Sequence, residues 1–168
     1  TFSLEGTDSK SIGRESFNAM WIRDCFNSSV LHTIRDAPVS CSGGTYGSAL
    51  GMRGYTGVMA DIMIAWPKEL FIPGCRTTKG GSDQGAHNYL LHWLSKQRPD
   101  LMTFPLRSIP NEEGMVYSMA YASKPVNVTG DRIVNARGVV PAFAHHYFKY
   151  CDDSPRQRVE VRSRWLSI

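Results

Sequence analysis

The sequence predicts a single α/β domain over residues 1–168, and three observations support this fold class. Residues 83–97 carry apolar side chains at steps of three and four, as a helix with one buried face requires. Residues 48–66 carry a second stripe of this kind. Short apolar runs bounded by glycine and proline predict strands on both sides of these helices. With 168 residues and 42% hydrophobic content, the chain can build one domain with a substantial core.

The helix over 83–97 has the clearest signals. Ser82 or Asp83 can cap its first free amide groups, and Pro99 ends it because the residue before a proline is disfavoured in a helix. Gly85 leaves the backbone of the first turn open to a close approach. Its buried stripe comprises Ala86, Tyr89, Leu90, Trp93 and Leu94. On the opposite face we expect the polar side chains Gln84, His87, Asn88 and, further on, His92.

The other elements follow from the same patterns. In chain order we predict a strand at 1–5, a helix at 11–26, a helical turn at 30–34, a strand at 38–42, a helix at 48–66, and strands at 102–106, 115–121, 132–135 and 139–147. The helix at 11–26 is predicted to bury Phe17, Met20 and Trp21. The helix at 48–66 is predicted to bury Met52, Tyr55, Met59, Ile62 and Met63. Glycines 51, 54 and 57 either permit close helix packing or weaken the helix.

Residues 38–48 predict a strand, a glycine loop and the start of a new helix. The loop Gly43-Gly44 lacks the further glycines of a dinucleotide fingerprint and the Gly-Lys-Ser/Thr of a P-loop. Its backbone amides, with the hydroxyls of Ser42 and Thr45, can bind a polar ligand such as a sugar. Alternatively, the segment is an ordinary tight turn between a strand and a helix.

Composition narrows the possible partners. The net charge of +4 is spread along the chain apart from four arginines within 156–164, without the dense basic stripe with aromatic residues that is typical of nucleic-acid binding. No nucleic-acid partner is therefore expected. The sequence contains no apolar run of 18 residues, so no membrane span is predicted within this chain.

Cysteines and glycosylation motifs bear on the compartment. The four cysteines form no CxxC pair, which argues against structural zinc: Cys25, Cys41, Cys75 and Cys151. They form two disulfides or remain buried thiols. Two N-glycosylation sequons begin at Asn27 and Asn127, each in a predicted loop, and favour the lumen of the secretory pathway, with the cytoplasm as the alternative. The chain starts at Thr1 without a methionine, so we expect an upstream segment.

Four segments together resemble the sequence pattern of a known enzyme family. They are Glu-Ser-Phe-Asn-Ala-Met-Trp-Ile-Arg-Asp-Cys-Phe at 15–26, Val-Ser-Cys-Ser-Gly at 39–43, Gly-Ser-Asp-Gln-Gly-Ala-His-Asn-Tyr-Leu-Leu at 81–91, and the stretch from Asn-Ala-Arg-Gly to histidine at 135–145. This succession resembles the carboxyl-terminal half of GT-A-type nucleotide-sugar glycosyltransferases, and the resemblance covers most of the chain. It implies a GT-A-like mixed sheet flanked by helices, with a β-rich carboxyl-terminal part, and a location in the Golgi.

The resemblance also implies roles for individual residues. Asp83 and Gln84 would act on the transferred sugar and the acceptor, and His145 would help to bind a divalent metal and the diphosphate. The donor-sugar pocket would be lined by Ser42, Gly43, Gly44 and Thr45, with further substrate contacts from Trp21, Gly81, Ser82, His87 and Asn88. Taken alone, Asp83 can be only a helix cap, Trp21 a core residue, and His145 a structural residue at the end of a strand.

Two features depart from the family pattern. After the late histidine the family continues with glutamine, an aromatic residue, aspartate and arginine, whereas residues 146–149 are His-Tyr-Phe-Lys. The family's Asp-X-Asp motif, which binds the metal on the diphosphate, does not occur in this chain. The Mn or Mg ion would therefore be bound mostly by residues outside it. If an upstream segment supplies that motif, this chain alone is inactive.

The predicted function is transfer of a sugar from a nucleotide-diphosphate donor to a hydroxyl of a glycan or protein acceptor. Such a reaction needs a carboxylate or amide near the acceptor and the developing cation, which Asp83 and Gln84 can supply whether the reaction inverts or retains configuration. The main alternative is a non-catalytic carbohydrate-binding or scaffold module. A serine hydrolase is disfavoured because the chain has no Gly-X-Ser-X-Gly motif.

Overall fold

A computed structural model describes residues 2–4, 11–65, 82–102, 104–106, 108–110, 113, 116–118, 127–129, 132–135 and 137–145. These residues form a mixed arrangement of four helices and short strands. The helices are α1 (Ser16–Phe26), α2 (Ser28–Ile34), α3 (Ala49–Ala60) and α4 (Ser82–Tyr89). The strands are β1 (Phe2–Leu4), β2 (Ser40–Thr45), β3 (Ser108–Pro110), β4 (Val116–Ser118), β5 (Asn127–Thr129), β6 (Arg132–Val134) and β7 (Phe143–His145).

The two long predicted helices are confirmed. The α4 helix continues through a π-helical turn, Leu90–Leu94, and a last turn, Ser95–Gln97, before Pro99 begins a short 3₁₀ turn. Similarly, α3 continues through Asp61–Ala65, and its first turn is capped because the Ser48 side chain accepts a hydrogen bond from the Gly51 amide. Met63, which was predicted to face the core, is 44% exposed.

The α1 helix buries a different face from the predicted one. Phe17 is 58% exposed, and the buried positions are Asn18, Ile22 and Cys25. Hydrophobic periodicity placed the buried stripe around Phe17 because it assigns an asparagine to solvent. Here Glu15 at the start of the helix bonds to Asn18, so this polar pair can enter the interior.

The strands form three separate groups rather than one continuous sheet within the described parts of the chain. In the largest group β1 pairs antiparallel with β2 and parallel with β3. The second group is the parallel pair β4–β7, and the third is the antiparallel hairpin β5–β6. Mixed pairing agrees with the coarse α/β prediction.

Several predicted strand limits are wrong, for identifiable reasons. The β2 strand runs through Gly43 and Gly44 instead of ending before them, because β1 pairs alongside as far as Thr45. Within the predicted strands 102–106 and 139–147, prolines remove backbone donors. Among their described residues, the first forms no strand, and the second forms one only over β7. The second sequon lies in β5 rather than in a loop.

The core lies between α4 and the elements that surround it. Phe104 packs over Gly54 of α3, where even a methyl group would be within 2.9 Å of the ring atom Cε1. The fully or nearly fully buried apolar residues are Ile12, Ile22, Val30, Ile34, Val39, Tyr55, Met59, Ile62, Ala86, Tyr89, Leu90, Leu91, Leu94 and Phe104. Cys25 takes part in a disulfide, whereas Cys41 is buried and not disulfide-bonded. In the described portion of the chain, no helix is long and apolar enough to cross a membrane.

Candidate functional site

The start of α4 lies against β2, and this contact brings Asp83 next to Ser42. The Ser42 hydroxyl donates a hydrogen bond of 3.1 Å to Asp83 Oδ2. The Asp83 side chain is exposed, and it makes no other hydrogen bond within the described part of the chain. Asp83 therefore does not cap its own helix. Instead, its carboxylate is oriented by the neighbouring strand and remains accessible to a ligand.

Gln84 joins the same helix to the backbone of β2. Its Oε1 accepts a hydrogen bond of 2.9 Å from the Ser42 amide, and its Nε2 donates to the carbonyl of Ser40. Because both ends of the side-chain amide bond to the strand, Gln84 fixes the position of β2 beside Asp83. The hydrogen bonds of the Gln84 side chain therefore hold the protein's own strand in place.

Asn88, one turn further along α4, is fully buried and links three elements. Its Oδ1 accepts a hydrogen bond of 2.8 Å from the Ser40 amide. Its Nδ2 lies 3.0 Å from the carbonyl oxygens of Ser40 and Gln84 and 3.2 Å from Oδ1 of Asn18. Since buried polar groups are costly unless they are bonded, this arrangement specifies how α1, β2 and α4 meet.

His87 is also fully buried, between Tyr55 and Ser40. Its Nδ1 lies 2.9 Å from the Tyr55 hydroxyl, and its Nε2 lies 3.0 Å from Ser40 Oγ. Burial, together with the nearby His92, lowers the pKa of His87 to about 3. The neutral ring therefore accepts one hydrogen bond and donates the other.

Tyr55 connects this buried pair to the exposed end of the site. Burial raises the pKa of its hydroxyl, the hydrogen bond with Thr45 lowers it, and the negative charge of Asp83 raises it. Because the net shift is upward, the phenol keeps its proton near neutral pH. The Thr45 hydroxyl donates a hydrogen bond of 3.2 Å to the Ser42 carbonyl and lies beside the Tyr55 hydroxyl, which in turn contacts His87.

His92 lies on the same helix beneath the site. Its pKa is lowered to about 4, mainly by burial, while a hydrogen bond to the backbone of Pro38 raises it and Lys96 lowers it. Its buried Nε2 has no hydrogen-bond partner within the part of the chain that the structure describes. His92 therefore belongs to the packed interior rather than to the exposed surface near Asp83.

Trp21 of α1 packs against the first turn of α4. A Cβ atom added at Gly85 would lie 2.8 Å from Trp21 Cβ, so the absence of a side chain at this position allows the two helices to approach. The Trp21 ring is half-buried and stacks on Phe17, with ring centroids 5.8 Å apart. The close approach expected at Gly85 is thus made by the protein's own α1.

The structure brings together only some of the residues predicted from sequence. Asp83, Gln84, Ser42 and Thr45 meet where α4 starts beside β2, with Gly43 exposed and Gly44 buried in that strand. His87 and Asn88 lie beneath this surface, since both are fully buried. Ser82 opens α4 and His145 ends β7, but their side chains, like the whole of Gly81, lie outside the described residues.

Sequence reasoning missed several members of the polar network. Ser40 forms hydrogen bonds with Gln84, His87 and Asn88. Its place in a predicted strand gave no sign of this role. The pair Glu15 and Asn18 was also missed. Glu15 caps α1, and its Oε2 accepts from the Asn18 amide at 2.6 Å, but glutamate is not among the preferred N-cap residues and so gave no clear signal.

A metal site does not form from the described residues alone. Within those ranges no group of three or more His, Cys, Asp or Glu side chains is close enough to hold a metal ion. The chemistry of the described site therefore rests on one exposed carboxylate with hydroxyls from Ser42, Thr45 and Tyr55 near it. Such a group can accept a proton from a ligand hydroxyl or stabilise a nearby positive charge.

Comparison with known proteins gives no assignment. No protein-family model, no curated protein and no solved structure matches this chain.

Proposed function

We propose that this protein is a glycosyltransferase that moves a sugar from a nucleotide-diphosphate donor to a hydroxyl of a glycan or protein acceptor. The observation that carries the proposal is the exposed Asp83 carboxylate, oriented by the Ser42 hydroxyl and supported by a buried polar network. Pre-organised carboxylates of this kind suit reactions in which charge develops at a sugar carbon. A GT-A-like fold and a location in the secretory lumen form part of the proposal.

Asp83 is the proposed catalytic residue. In an inverting reaction its carboxylate accepts the proton of the acceptor hydroxyl while that oxygen bonds to the anomeric carbon and the nucleotide diphosphate leaves. In a retaining reaction the same carboxylate stabilises the positive charge on the sugar ring. Both versions require a carboxylate that is exposed and held in place. Asp83 is exposed, and its hydrogen bond with Ser42 orients it.

Gln84 and Ser42 are proposed to position Asp83 and the strand that lines the donor-sugar site. Both polar ends of Gln84 bond to the backbone of β2, so this side chain holds Gly43 at a fixed place beside Asp83. A strand without a side chain at Gly43 lets a sugar approach the backbone closely. In this proposal Gln84 acts through the strand rather than on the reacting atoms.

A divalent ion, Mn or Mg, would neutralise the departing diphosphate. The described residues do not supply a set of three ligands for this ion. His145 at the end of β7 remains the candidate ligand from this chain, together with residues outside it.

The test is a donor screen with the full-length protein. UDP-glucose, UDP-galactose, UDP-N-acetylglucosamine, GDP-mannose and GDP-fucose would each be incubated with Mn²⁺, and released nucleotide diphosphate and transferred sugar would be measured. We expect turnover of at least one donor, and loss of turnover when Asp83 is replaced by asparagine. Saturable donor or glycan binding without turnover would support a carbohydrate-binding module instead. A protein that shows no binding and no turnover with any of these donors would overturn the proposal.

A further inference from the structure

Asn27 occupies an exposed corner between two helices. It follows the last residue of α1 and precedes the first residue of α2, with a backbone φ of 98°. Positive φ values are uncommon outside glycine, but asparagine tolerates them better than most residues. Its backbone amide donates to Arg23 O at 3.1 Å, which closes α1. The side chain is therefore held on the surface at a fixed position.

The two polar atoms of the Asn27 side chain have different surroundings. Its Oδ1 accepts a hydrogen bond of 3.0 Å from the Val30 amide and so caps α2. Its Nδ2 donates no hydrogen bond within the described part of the chain. A substituent on Nδ2 would leave the carbonyl oxygen in place, so the cap survives modification of the nitrogen.

Asn27 begins the sequence Asn27-Ser28-Ser29, which satisfies the acceptor pattern for N-glycosylation. All three residues are exposed. The Ser29 side chain that the pattern requires is therefore on the surface. Among the described residues, the one side chain that bonds to Ser29 is that of Thr33, whose Oγ1 donates to the Ser29 carbonyl oxygen.

The neighbouring cysteine indicates a compartment in which this modification takes place. Cys25, two residues before Asn27, takes part in a disulfide. Stable disulfides form in oxidising compartments such as the endoplasmic reticulum, where N-glycans are also attached. The disulfide and the sequon lie on one helix end and point to the same cellular location.

We infer that Asn27 carries an N-linked glycan. The co-substrate is an oligosaccharide on a lipid diphosphate, and a separate transferase of the secretory pathway catalyses the step. Asn27 Nδ2 bonds to the anomeric carbon as the bond from that carbon to the diphosphate breaks. The lipid diphosphate leaves, and the proton lost from Nδ2 passes to a base of the transferase. No oxidation or reduction is involved, and the step is independent of any activity of this chain.

Mass spectrometry tests this assignment. The full-length protein would be expressed through the secretory pathway of a eukaryotic cell, and its N-glycans would be removed by peptide N-glycosidase in heavy-oxygen water. That treatment converts a glycosylated asparagine into an isotopically labelled aspartate. We expect the label at position 27. An unlabelled Asn27 in glycosidase-treated protein that carries its disulfide would overturn the inference.

Two variants of Ser29 provide the matched controls. Ser29→Ala removes the required hydroxyl but leaves the Asn27 cap, whereas Ser29→Thr retains an acceptor sequence. In an Asn127→Gln background, which removes the other sequon, we expect Ser29→Ala to lose one glycan's gel shift and Ser29→Thr to keep it. Equal mobility of the two variants would contradict the inference. If the background variant fails to fold, peptide mapping of the two Ser29 variants alone gives the same answer.

Discussion

Ser42 and Asp83 are 41 positions apart in the chain, yet the Ser42 hydroxyl donates a hydrogen bond of 3.1 Å to the Asp83 carboxylate. The Ser42 amide also donates to Gln84, the next residue of the same helix, at 2.9 Å. One strand residue is thus held by two consecutive helix residues. The orientation of the carboxylate therefore depends on the packing of β2 against α4.

Asp83→Asn tests whether the charge of this residue matters more than its hydrogen bond. The asparagine oxygen can still accept from Ser42, so we expect a change in unfolding free energy below about 1 kcal/mol. Loss of the carboxylate should reduce the rate of sugar transfer by about a hundredfold or more. Thermal melting and initial rates on the same preparations give both numbers. The matched control is Asp36→Asn, since the Asp36 side chain is 90% exposed and lies in a different part of the chain.

If Asp36→Asn and Asp83→Asn transfer sugar equally fast, Asp83 is not catalytic. If Asp83→Asn is slow only because it has unfolded, the melting curve will show it.

Ser42→Ala tests whether the hydroxyl acts through Asp83. Removing it leaves the carboxylate without its only described hydrogen bond, so we expect a lower rate at saturating substrate, with a smaller loss than for Asp83→Asn. In the double variant the effects should not add, because residues in direct contact are coupled. A double-mutant cycle on the transfer rate measures this coupling. Additive losses would mean that Ser42 has a role separate from Asp83.

Asn88→Ala should destabilise the protein strongly. Asn88 accepts from the Ser40 amide and donates within a set of three oxygens, so its removal leaves buried polar groups without partners. We expect a loss of about 2–4 kcal/mol in the free energy of unfolding. Denaturant titration measures it. Gln97→Ala, at the exposed end of the same helix, should change stability by less than about 0.5 kcal/mol, and a similar loss in both variants would contradict this account.

Two glycines of α3 should respond to alanine in opposite directions. At Gly54 an added Cβ would lie 2.9 Å from Cε1 of the buried Phe104 ring, so we expect destabilisation of about 1–3 kcal/mol. At Gly57 an added Cβ meets nothing within 4 Å, so alanine should stabilise the helix by about 0.5–1 kcal/mol. Chemical denaturation of both variants checks the signs. A gain of stability at Gly54 would contradict the prediction that Phe104 leaves no room for a methyl group there.

Stability should fall as the pH falls below neutrality. In the folded protein the pKa values of His87 and His92 are lowered to about 3 and about 4, from an ordinary value of 6.5. Below pH 6.5 the unfolded chain binds protons that the folded chain does not, so each histidine removes about 1.4 kcal/mol per pH unit until its folded pKa is reached. His92→Gln should reduce this slope by that amount between pH 6 and pH 5, as measured by denaturation at several pH values.

The control for this measurement is His32→Gln, which changes an exposed histidine of α2. It should leave the slope closer to that of the wild-type protein than His92→Gln does. Identical slopes for His92→Gln and the wild type would contradict the burial of a neutral imidazole at position 92.

The limits of the sequence predictions have physical causes. The proline signal placed the carboxyl end of the helix predicted at 83–97 correctly, because this signal acts within one helical turn. The helix predicted from residue 48 also starts there, with Ser48 as its N-cap. His87 and Asn88 were assigned to an open face because periodicity treats every polar side chain as exposed. Their partner Ser40 is 47 and 48 positions away, and no local pattern reveals a bond over that separation.

The candidate site shows the same division. The family resemblance implied that Asp83, Gln84 and Ser42 all contact the substrate, and in the structure hydrogen bonds join Ser42 to both helix residues. Which atoms form these hydrogen bonds could not be predicted. Both ends of the Gln84 side-chain amide bond to β2, and this depends on tertiary packing rather than on a local sequence pattern.

The backbone amide of Ser40 donates to the side chain of Asn88, and that of Ser42 donates to the side chain of Gln84; both partners lie on α4. The β2 strand is thus bonded to α4 as well as paired with β1. Deuterium uptake at these two strand amides would therefore depend on whether the helix is docked. A ligand that holds the first turn of α4 in place would slow isotope exchange in β2 without touching those amides. The strand thus serves as a built-in reporter of occupancy at Asp83.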